Sequence, residues 1–162
     1  MTKEKHVLGI SGGKDSAALA IYMRDNYPEL DIDYFFTDTG KELPEVYDYL
    51  SKLEGYLGKP ISRINPDRDF DFWLMQHNNF LPSPQARWCT IQMKLRPFEE
   101  WVKTFLDEGY TVYSYVAIRS DEEYRTGYLS NDENLKIKLP FRDDGIDKQG
   151  VLNILEFSCL GL

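Results

Sequence analysis

An α/β fold, a parallel twisted sheet flanked by helices on both faces, is predicted by three features of this sequence. Strand, helix, strand, helix and strand patterns alternate over residues 6–64. A Ser-Gly-Gly-Lys-Asp-Ser turn, Ser11–Ser16, joins the first strand to the first helix. A β-branched and aromatic run, TVYSYVA at 111–117, follows a long helical pattern. Alternation of this kind needs right-handed crossovers, and these place successive strands in parallel.

The elements follow in order. His6–Ile10 is a short, partly β-branched apolar run that ends in Ser-Gly-Gly, which predicts a buried strand. Asp15–Tyr27 is alanine-rich, apolar on more than one face and stopped by Pro28, which predicts a helix packed on the sheet. Ile32–Thr37 (IDYFFT) is the second strand, and Asp38-Thr39-Gly40 a turn. Pro44–Leu57 opens with proline at a first helical position and carries Val46, Tyr47, Leu50, Leu53 and Leu57 at helical spacing. Ile61–Ile64 is a third strand. Phe70–His77 reads as helix, Asn78–Gln85 as a loop, and Thr90–Glu108 as a long amphipathic helix. Strand 111–117, a polar loop over Arg119–Tyr128, a short strand at Lys136–Leu139 before Pro140, and a final helix at Asp147–Phe157 complete the chain. No linker divides it, so residues 1–162 are expected to form one nucleotide-binding domain.

Composition excludes several classes. With 42% hydrophobic and 14% aromatic residues the chain has enough apolar surface for a core, against intrinsic disorder. Twenty-seven acidic against 19 basic residues give a net charge of −8. A protein that holds duplex nucleic acid by broad phosphate neutralisation is normally basic. Any nucleic-acid contact is therefore local, around Arg87, Lys94, Arg119 and Arg125. Two cysteines, Cys89 and Cys159, make neither a disulfide framework nor a structural zinc site. The N-terminal run is too short for a signal peptide or a membrane helix, which predicts a cytoplasmic protein with no membrane partner. His6 and His77 lack metal-ligand spacing and read as structural. The C-terminal LEFSCLGL, apolar and without a polar cap, predicts a chain that lacks a C-terminal extension.

The chemistry concentrates in Ser11-Gly12-Gly13-Lys14-Asp15-Ser16. Two glycines permit positive φ and bring backbone N–H groups close to a ligand. The helix start adds partial positive charge, Lys14 a full one, and Ser11 and Ser16 hydroxyl donors. Together these make a phosphate cradle, although the GxxxxGK[ST] spacing of the Walker loop is absent. The simpler alternative is a Gly-Gly turn with Ser or Asp capping the helix.

The hexapeptide resembles the PP-loop of ATP pyrophosphatases, and three further segments narrow the resemblance to the phosphoadenosine phosphosulfate (PAPS) reductase family. Phe36-Thr37-Asp38-Thr39-Gly40 with Pro44-Glu45 resembles that family's F-x-DTG-x-x-x-PE segment. Arg87-Trp88-Cys89-Thr90 with Lys94 and Pro97 resembles its R-x-C-x-x-x-K-x-x-P segment. Arg119-Ser120-Asp121-Glu122 through Arg125 resembles its R-x-D-E-x-x-R segment. The four motifs stand in family order across residues 6–140. The resemblance implies an adenine nucleotide alpha hydrolase-like, Rossmann-like three-layer fold. It also implies that ATP or a related adenine nucleotide is bound with Mg²⁺.

It further implies roles. Ser11, Gly12, Gly13, Lys14, Asp15 and Ser16 would hold phosphates, and Phe36, Thr37 and Gly40 would meet the nucleotide through backbone, although Phe36 and Thr37 also read as core. Asp38, at the carboxyl end of the second strand, either holds the metal or closes its own turn. Asp15 either shares the metal or caps the helix. Arg119 and Arg125, like Arg87 and Lys94, suit bidentate or point contact with phosphate or sulfate. The rival reading of Arg119 and Arg125 is a solvated salt-bridge cluster with Asp121, Glu122 and Glu123. Cys89, flanked by Arg87 and Lys94, is either an activated thiolate or a small core residue beside Trp88. Lys14, Asp38 and Cys89 are the expected catalytic residues.

Two chemistries follow. In one, ATP is cleaved between its α and β phosphates and adenylates an acceptor, which then takes part in sulfur transfer with a donor or acceptor protein. In the other, APS or PAPS is reduced to sulfite. The Glu-Cys-Gly-Leu-His segment of PAPS reductases and the extra cysteine pairs of APS reductases are absent. The pattern is more similar to DNA-phosphorothioation sulfur-transfer proteins. Sulfate adenylyltransferase small subunits share the Arg-Asp-Glu-Glu-like loop. An iron–sulfur cluster takes four thiolates, so it enters only if a longer parent chain supplies more cysteines. A different class, a non-catalytic nucleotide-binding subunit or sensor, is separated from these by whether AMP forms.

Overall fold

Among the described residues the elements follow in the order β1 (Lys3–Gly9), α1 (Lys14–Asn26), β2 (Ile32–Thr37), α2 (Pro44–Leu57), β3 (Ile61–Ile64), α3 (Arg96–Asp107), β4 (Tyr110–Tyr115), β5 (Leu135–Lys138), α4 (Pro140–Asp143) and α5 (Lys148–Ser158). The structure, a computed structural model, describes residues 3–11, 13–38, 44–64, 75–76, 96–122 and 132–159. The strands form one sheet in the order β3-β2-β1-β4-β5. Every neighbouring pair is parallel.

Strand period explains the two cores. Successive side chains point to opposite faces, and in a parallel sheet both faces are covered. On one face Leu8, Tyr34 and Phe36 join the apolar residues of α1, α2 and α5. On the other, Val7, Phe35 and Val112 pack with Phe98 and Val102 of α3. Helix α1 is buried along Ser16–Ile21, as its alanines permit close approach to the sheet, and it packs against both α2 and α5. This is the parallel, doubly covered sheet that the alternating pattern predicts.

Several boundaries differ from the sequence expectation. β1 begins at Lys3, not His6. Lys3, Glu4 and Lys5 pair with Tyr110, Thr111 and Val112, so charged residues extend the strand, with Lys5 Nζ lying 4.8 Å over the Phe105 ring of α3. The apolar run marked only the buried part. The helix expected over 90–108 is described from Arg96, with Pro97 in its first turn, and ends at Asp107 before Gly109 at φ 88°. β4 ends at Tyr115, short of residue 117, although Val116 N–H still donates to the Lys138 carbonyl at 3.0 Å. Pro140 does more than end β5, because it starts the single turn α4. α5 is capped by Asp147, whose carboxylate accepts from Gly150 N–H at 3.0 Å, and is closed by Cys159 at φ 58°. Of the expected 70–77 helix and 78–85 loop, all but Met75 and Gln76 lie outside the described residues. Among the described residues no helix is long and apolar enough to cross a membrane.

Gly9 tests this packing. A Cβ there would sit 2.8 Å from Phe35 Cζ. The Phe35 ring is wedged against Phe98 and Trp101, with centroids at 5.3 and 5.0 Å, so it has little room to move. Gly9→Ala is expected to destabilise the fold by about 1–3 kcal/mol, read by chemical denaturation.

Candidate functional site

The chain runs from β1 through β2 to β3 on one side of the sheet and returns to place β4 and β5 on the other. The order therefore reverses between β1 and β4. Connections leave in opposite directions there, and open α/β sheets take ligands in the crevice at the carboxyl ends of such strands. A cleft of about 600 Å³ opens at this point. Its floor is Gly9 at the end of β1 and Ile10 just past it, Phe36 and Thr37 from β2, and Tyr115 and Ala117 from the β4 end. The Ser11–Ser16 loop, Arg119 and the first turns of α5 form its walls.

The loop is held from inside. Ser11 N–H donates to Ser16 Oγ at 3.0 Å, and Ser16 Oγ donates to the Gly13 carbonyl at 3.2 Å. The Ser11 amide and the Ser16 hydroxyl are thus occupied in shaping the turn, not bare toward a ligand. Gly13 is the N-cap of α1, at φ −91° and ψ 164°. It is extended, so positive φ is not what this glycine supplies. Its use is the missing side chain: glycine at the N-cap offers no acceptor to the first turn of α1, while Ser11 Oγ accepts from Gly13 N–H itself at 3.4 Å. First-turn N–H groups have no acceptor within a helix. Among the described residues the N-cap side chain supplies no acceptor for them, and the helix dipole stands behind them. Lys14 is exposed at the first helical position and lines the cleft, and it has no ion pair among the described residues.

Helix α2 buttresses the loop and the β2 end through two tyrosines, Tyr49, which no sequence motif marks, and Tyr47, which the sequence marks only by helical spacing. Tyr49 OH donates to the Gly13 carbonyl at 3.0 Å, and Tyr47 OH donates to Asp38 Oδ1 at 2.9 Å. Burial pushes the Tyr49 phenol up to about 12. A phenol whose pKa is raised on folding binds its proton more tightly in the folded state. Its stabilisation is complete below the unfolded value near 10 and is lost as pH rises toward 12. Stability is expected to fall across that window in the wild type and to fall less in Tyr49→Phe. At neutral pH Tyr49→Phe is expected to cost about 1 kcal/mol, read by denaturation.

Arg119 lies on the opposite wall and is mostly buried. Its guanidinium faces Asp15 at 3.9 Å, Asp121 at 3.2 Å and Glu122 at 3.5 Å. Its own backbone N–H donates to Glu122 Oε2 at 3.0 Å. Although Nε stands 3.2 Å from Asp121, it lacks hydrogen-bond alignment with any described acceptor, so this contact is one of charge. Glu122 is 7% exposed, and Arg142 Nη2 donates to its carbonyl at 2.5 Å. Arg119 thus lines the cleft and also forms the salt-bridge cluster with Asp121 and Glu122, in which Asp121 is exposed and Glu122 buried. Asp15, in the first turn of α1, turns to Arg119.

The expected residues divide accordingly. Ser11, Gly13, Lys14, Asp15, Ser16, Phe36, Thr37 and Arg119 converge on the cleft. The Phe36 side chain is 2% exposed and belongs to the core, so only its backbone can reach a ligand. Asp38, one residue past Thr37, is half-buried and held by Tyr47 but is not among the cleft-lining residues. Gly12, Gly40, Arg87, Cys89, Lys94 and Arg125 lie outside the described residues, as does His77. His6 is seated in the sheet, where Nδ1 meets Tyr115 OH at 2.8 Å and the ring stacks on Tyr113 at 5.2 Å. Burial, with Tyr113 and Glu4 nearby, pushes the Tyr115 phenol up to about 12. Cleft-lining Lys148, at the start of α5, carried no sequence signal, since it stands 134 residues after Lys14 in an ordinary amphipathic helix.

For a divalent ion the donor set is sparse. Among the described residues no three His, Cys, Asp or Glu side chains gather into a metal site. Mg²⁺ that travels with a nucleotide needs only one or two carboxylates beside the phosphates and water; Asp15 lines the cleft facing Arg119, and Asp38 stands at the end of β2 next to the lining residue Thr37.

Comparison with known proteins places these features. Residues 5–130 match the phosphoadenosine phosphosulfate reductase domain. An uncharacterized protein of Methanocaldococcus jannaschii is 25% identical over 130 residues, which cover 77% of this chain and 30% of that protein. The chain thus spans about a third of the length of that curated relative. Among solved structures, a PAPS reductase from Candida auris, in complex with phosphate, superposes with a TM-score of 0.66 at 13% identity, over 96% of this chain and 73% of that one. NMN synthetase from Francisella tularensis gives 0.59 at 16% identity, over 98% and 63%. The U34-tRNA thiolase NcsA from Methanococcus maripaludis, with its 4Fe–4S cluster, gives 0.57 at 15% identity, over 99% and 59%. At these identities the likeness is one of fold.

Proposed function

Because the chain belongs to the phosphoadenosine phosphosulfate reductase domain family, we propose that its cleft binds ATP or a related adenine nucleotide with Mg²⁺ and cleaves the bond between the α and β phosphates, adenylating an acceptor in cytoplasmic sulfur transfer. The observation that carries this reading is the uncapped start of α1, with Lys14, facing a 600 Å³ cleft at the strand carboxyl ends. That volume is within the range of pockets that enclose drug-sized ligands, roughly 300–1,000 Å³. A thiolase and a PAPS reductase among the structures of like fold support an acceptor in sulfur chemistry.

In this reading the open first-turn amides of α1 and Lys14 take the β and γ phosphates. The acceptor nucleophile attacks the α phosphorus from the far side, the P–O bond to the β phosphate breaks, and pyrophosphate leaves. Lys14 and the amides stabilise the charge that grows on pyrophosphate, and they are already oriented before the reaction. Arg119, braced by Asp15, Asp121 and Glu122, is placed to contact the α phosphate or its sulfated equivalent. Phe36 and Thr37 offer backbone to the adenine. Mg²⁺, held by Asp15 and Asp38, would neutralise phosphate charge. Gly12, Gly40, Arg87, Lys94 and Arg125 are assigned to the nucleotide through their motifs, and Cys89 to the sulfur step as a thiolate between Arg87 and Lys94. The chain's two cysteines do not supply four thiolates, so no step is assigned to an iron–sulfur cluster.

The test is incubation with α-labelled ATP and Mg²⁺ alongside a Lys14→Ala control. Lys14-dependent AMP and pyrophosphate support the proposal. Tight ATP binding without AMP would replace it with a non-catalytic nucleotide-binding module. Sulfite formed from PAPS and a thiol, and lost in Cys89→Ser, would replace it with the reductase.

A further inference from the structure

We propose that Lys148, the first residue of α5, is a second phosphate contact that makes the cleft select adenine nucleotides by the length of their phosphate chain. The inference rests on the nucleotide reading above. Lys148 lines the same cleft as the Ser11–Ser16 loop, and Val151 and Leu152 of the next turn line it too. The helix that carries them is fixed: Val151 and Leu155 are buried in the same core as the inner face of α1, and α5 packs along α1. Two helices thus begin at one cleft, each with a lysine at its first position.

The distribution of charge makes Lys148 more than an incidental neighbour. Among the described residues three cationic side chains line the cleft, Lys14, Arg119 and Lys148. Arg119 faces three carboxylates. Lys14 and Lys148 have no ion pair among the described residues, so of the described cations at the cleft these two carry charge that no described carboxylate offsets. Asp147 beside Lys148 is turned back to cap α5 through Gly150 N–H. A loop with one lysine has enough donors for part of a triphosphate. Lys148, on a separate wall, adds a second cation for the β and γ phosphates that the loop takes from its own side, and AMP has neither of these phosphates. Lys148 also lies beyond residues 5–130, so this wall is furnished from outside the family-matched span.

The test is calorimetric titration of the 162-residue chain with ATP, ADP and AMP in Mg²⁺ buffer, for wild type, Lys148→Ala and Lys148→Arg. Lys148→Ala is expected to weaken ATP about tenfold, the loss of one charge-assisted contact, and to leave AMP within about twofold. Lys148→Arg is expected to restore most of the ATP affinity. Equal affinities in wild type and Lys148→Ala, or an equal loss for ATP and AMP, would overturn the inference while leaving the nucleotide reading in place. No ATP binding by the wild type would overturn that reading and this inference with it. Lys148 is exposed, so the variants are expected to melt like the wild type, which a thermal scan confirms before titration.

Discussion

Lys14→Ala is expected to lower AMP formation from ATP by about 10²- to 10³-fold. Lys14 stands at the first helical position, on an uncapped helix start, and has no described carboxylate to neutralise it. Its charge is therefore aimed at whatever occupies the cleft. If it stabilises leaving pyrophosphate more than bound ATP, the loss falls mainly on kcat, because only interactions stronger in the transition state raise the rate. A rise in KM with kcat unchanged would instead make Lys14 a ground-state binder. Because the side chain is exposed, stability should move by no more than about 0.5 kcal/mol. Lys14→Arg keeps the charge but not its point geometry, and is expected to recover only part of the rate.

Arg119→Gln is expected to destabilise the fold by about 2–4 kcal/mol and to weaken nucleotide binding at the same time. The arginine is the shared counter-charge of Asp15, Asp121 and Glu122, and Glu122 is 7% exposed. Removing the cation leaves three carboxylates together at the edge of an anion site. The Glu122 hydrogen bond from Arg119 N–H survives, as it comes from the backbone, which keeps the expected cost below that of a wholly orphaned ion. Arg119→Lys keeps one charge but loses the planar fork that faces three acids, and should fall between. Chemical denaturation at neutral pH measures the cost. A change under about 0.5 kcal/mol would show that solvent neutralises these acids, and would return the cluster to an ordinary surface network.

The parts of the site that could be read from sequence are local ones. Ser11–Ser16 lies within six consecutive residues, and its strand-to-helix context follows from an apolar run and an alanine-rich one. Ile32–Thr37, Pro44–Leu57 and Ile61–Ile64 have the predicted bounds because apolar periodicity and Pro/Gly punctuation coincide there. The misses arose where structure depends on distant neighbours. Lys3–Lys5 join β1 through pairing with β4, a partner more than a hundred residues away. Tyr49 reaches the loop, and Lys148 lines the same cleft, only because α2 and α5 flank α1, and neither lies in a motif. The Gly13 N-cap is the reverse case: the sequence pointed to glycine for its backbone freedom, whereas the extended Gly13 acts by lacking a cap side chain.

The most direct single measurement is a crystal structure with a non-hydrolysable ATP analogue and Mg²⁺. The phosphates should lie within about 3 Å of the first-turn amides of α1 and of Lys14 Nζ, with the adenine at the carboxyl end of β2. A nucleotide bound elsewhere with the Ser11–Ser16 loop empty, or no nucleotide at saturating concentration, would contradict the assignment of this cleft.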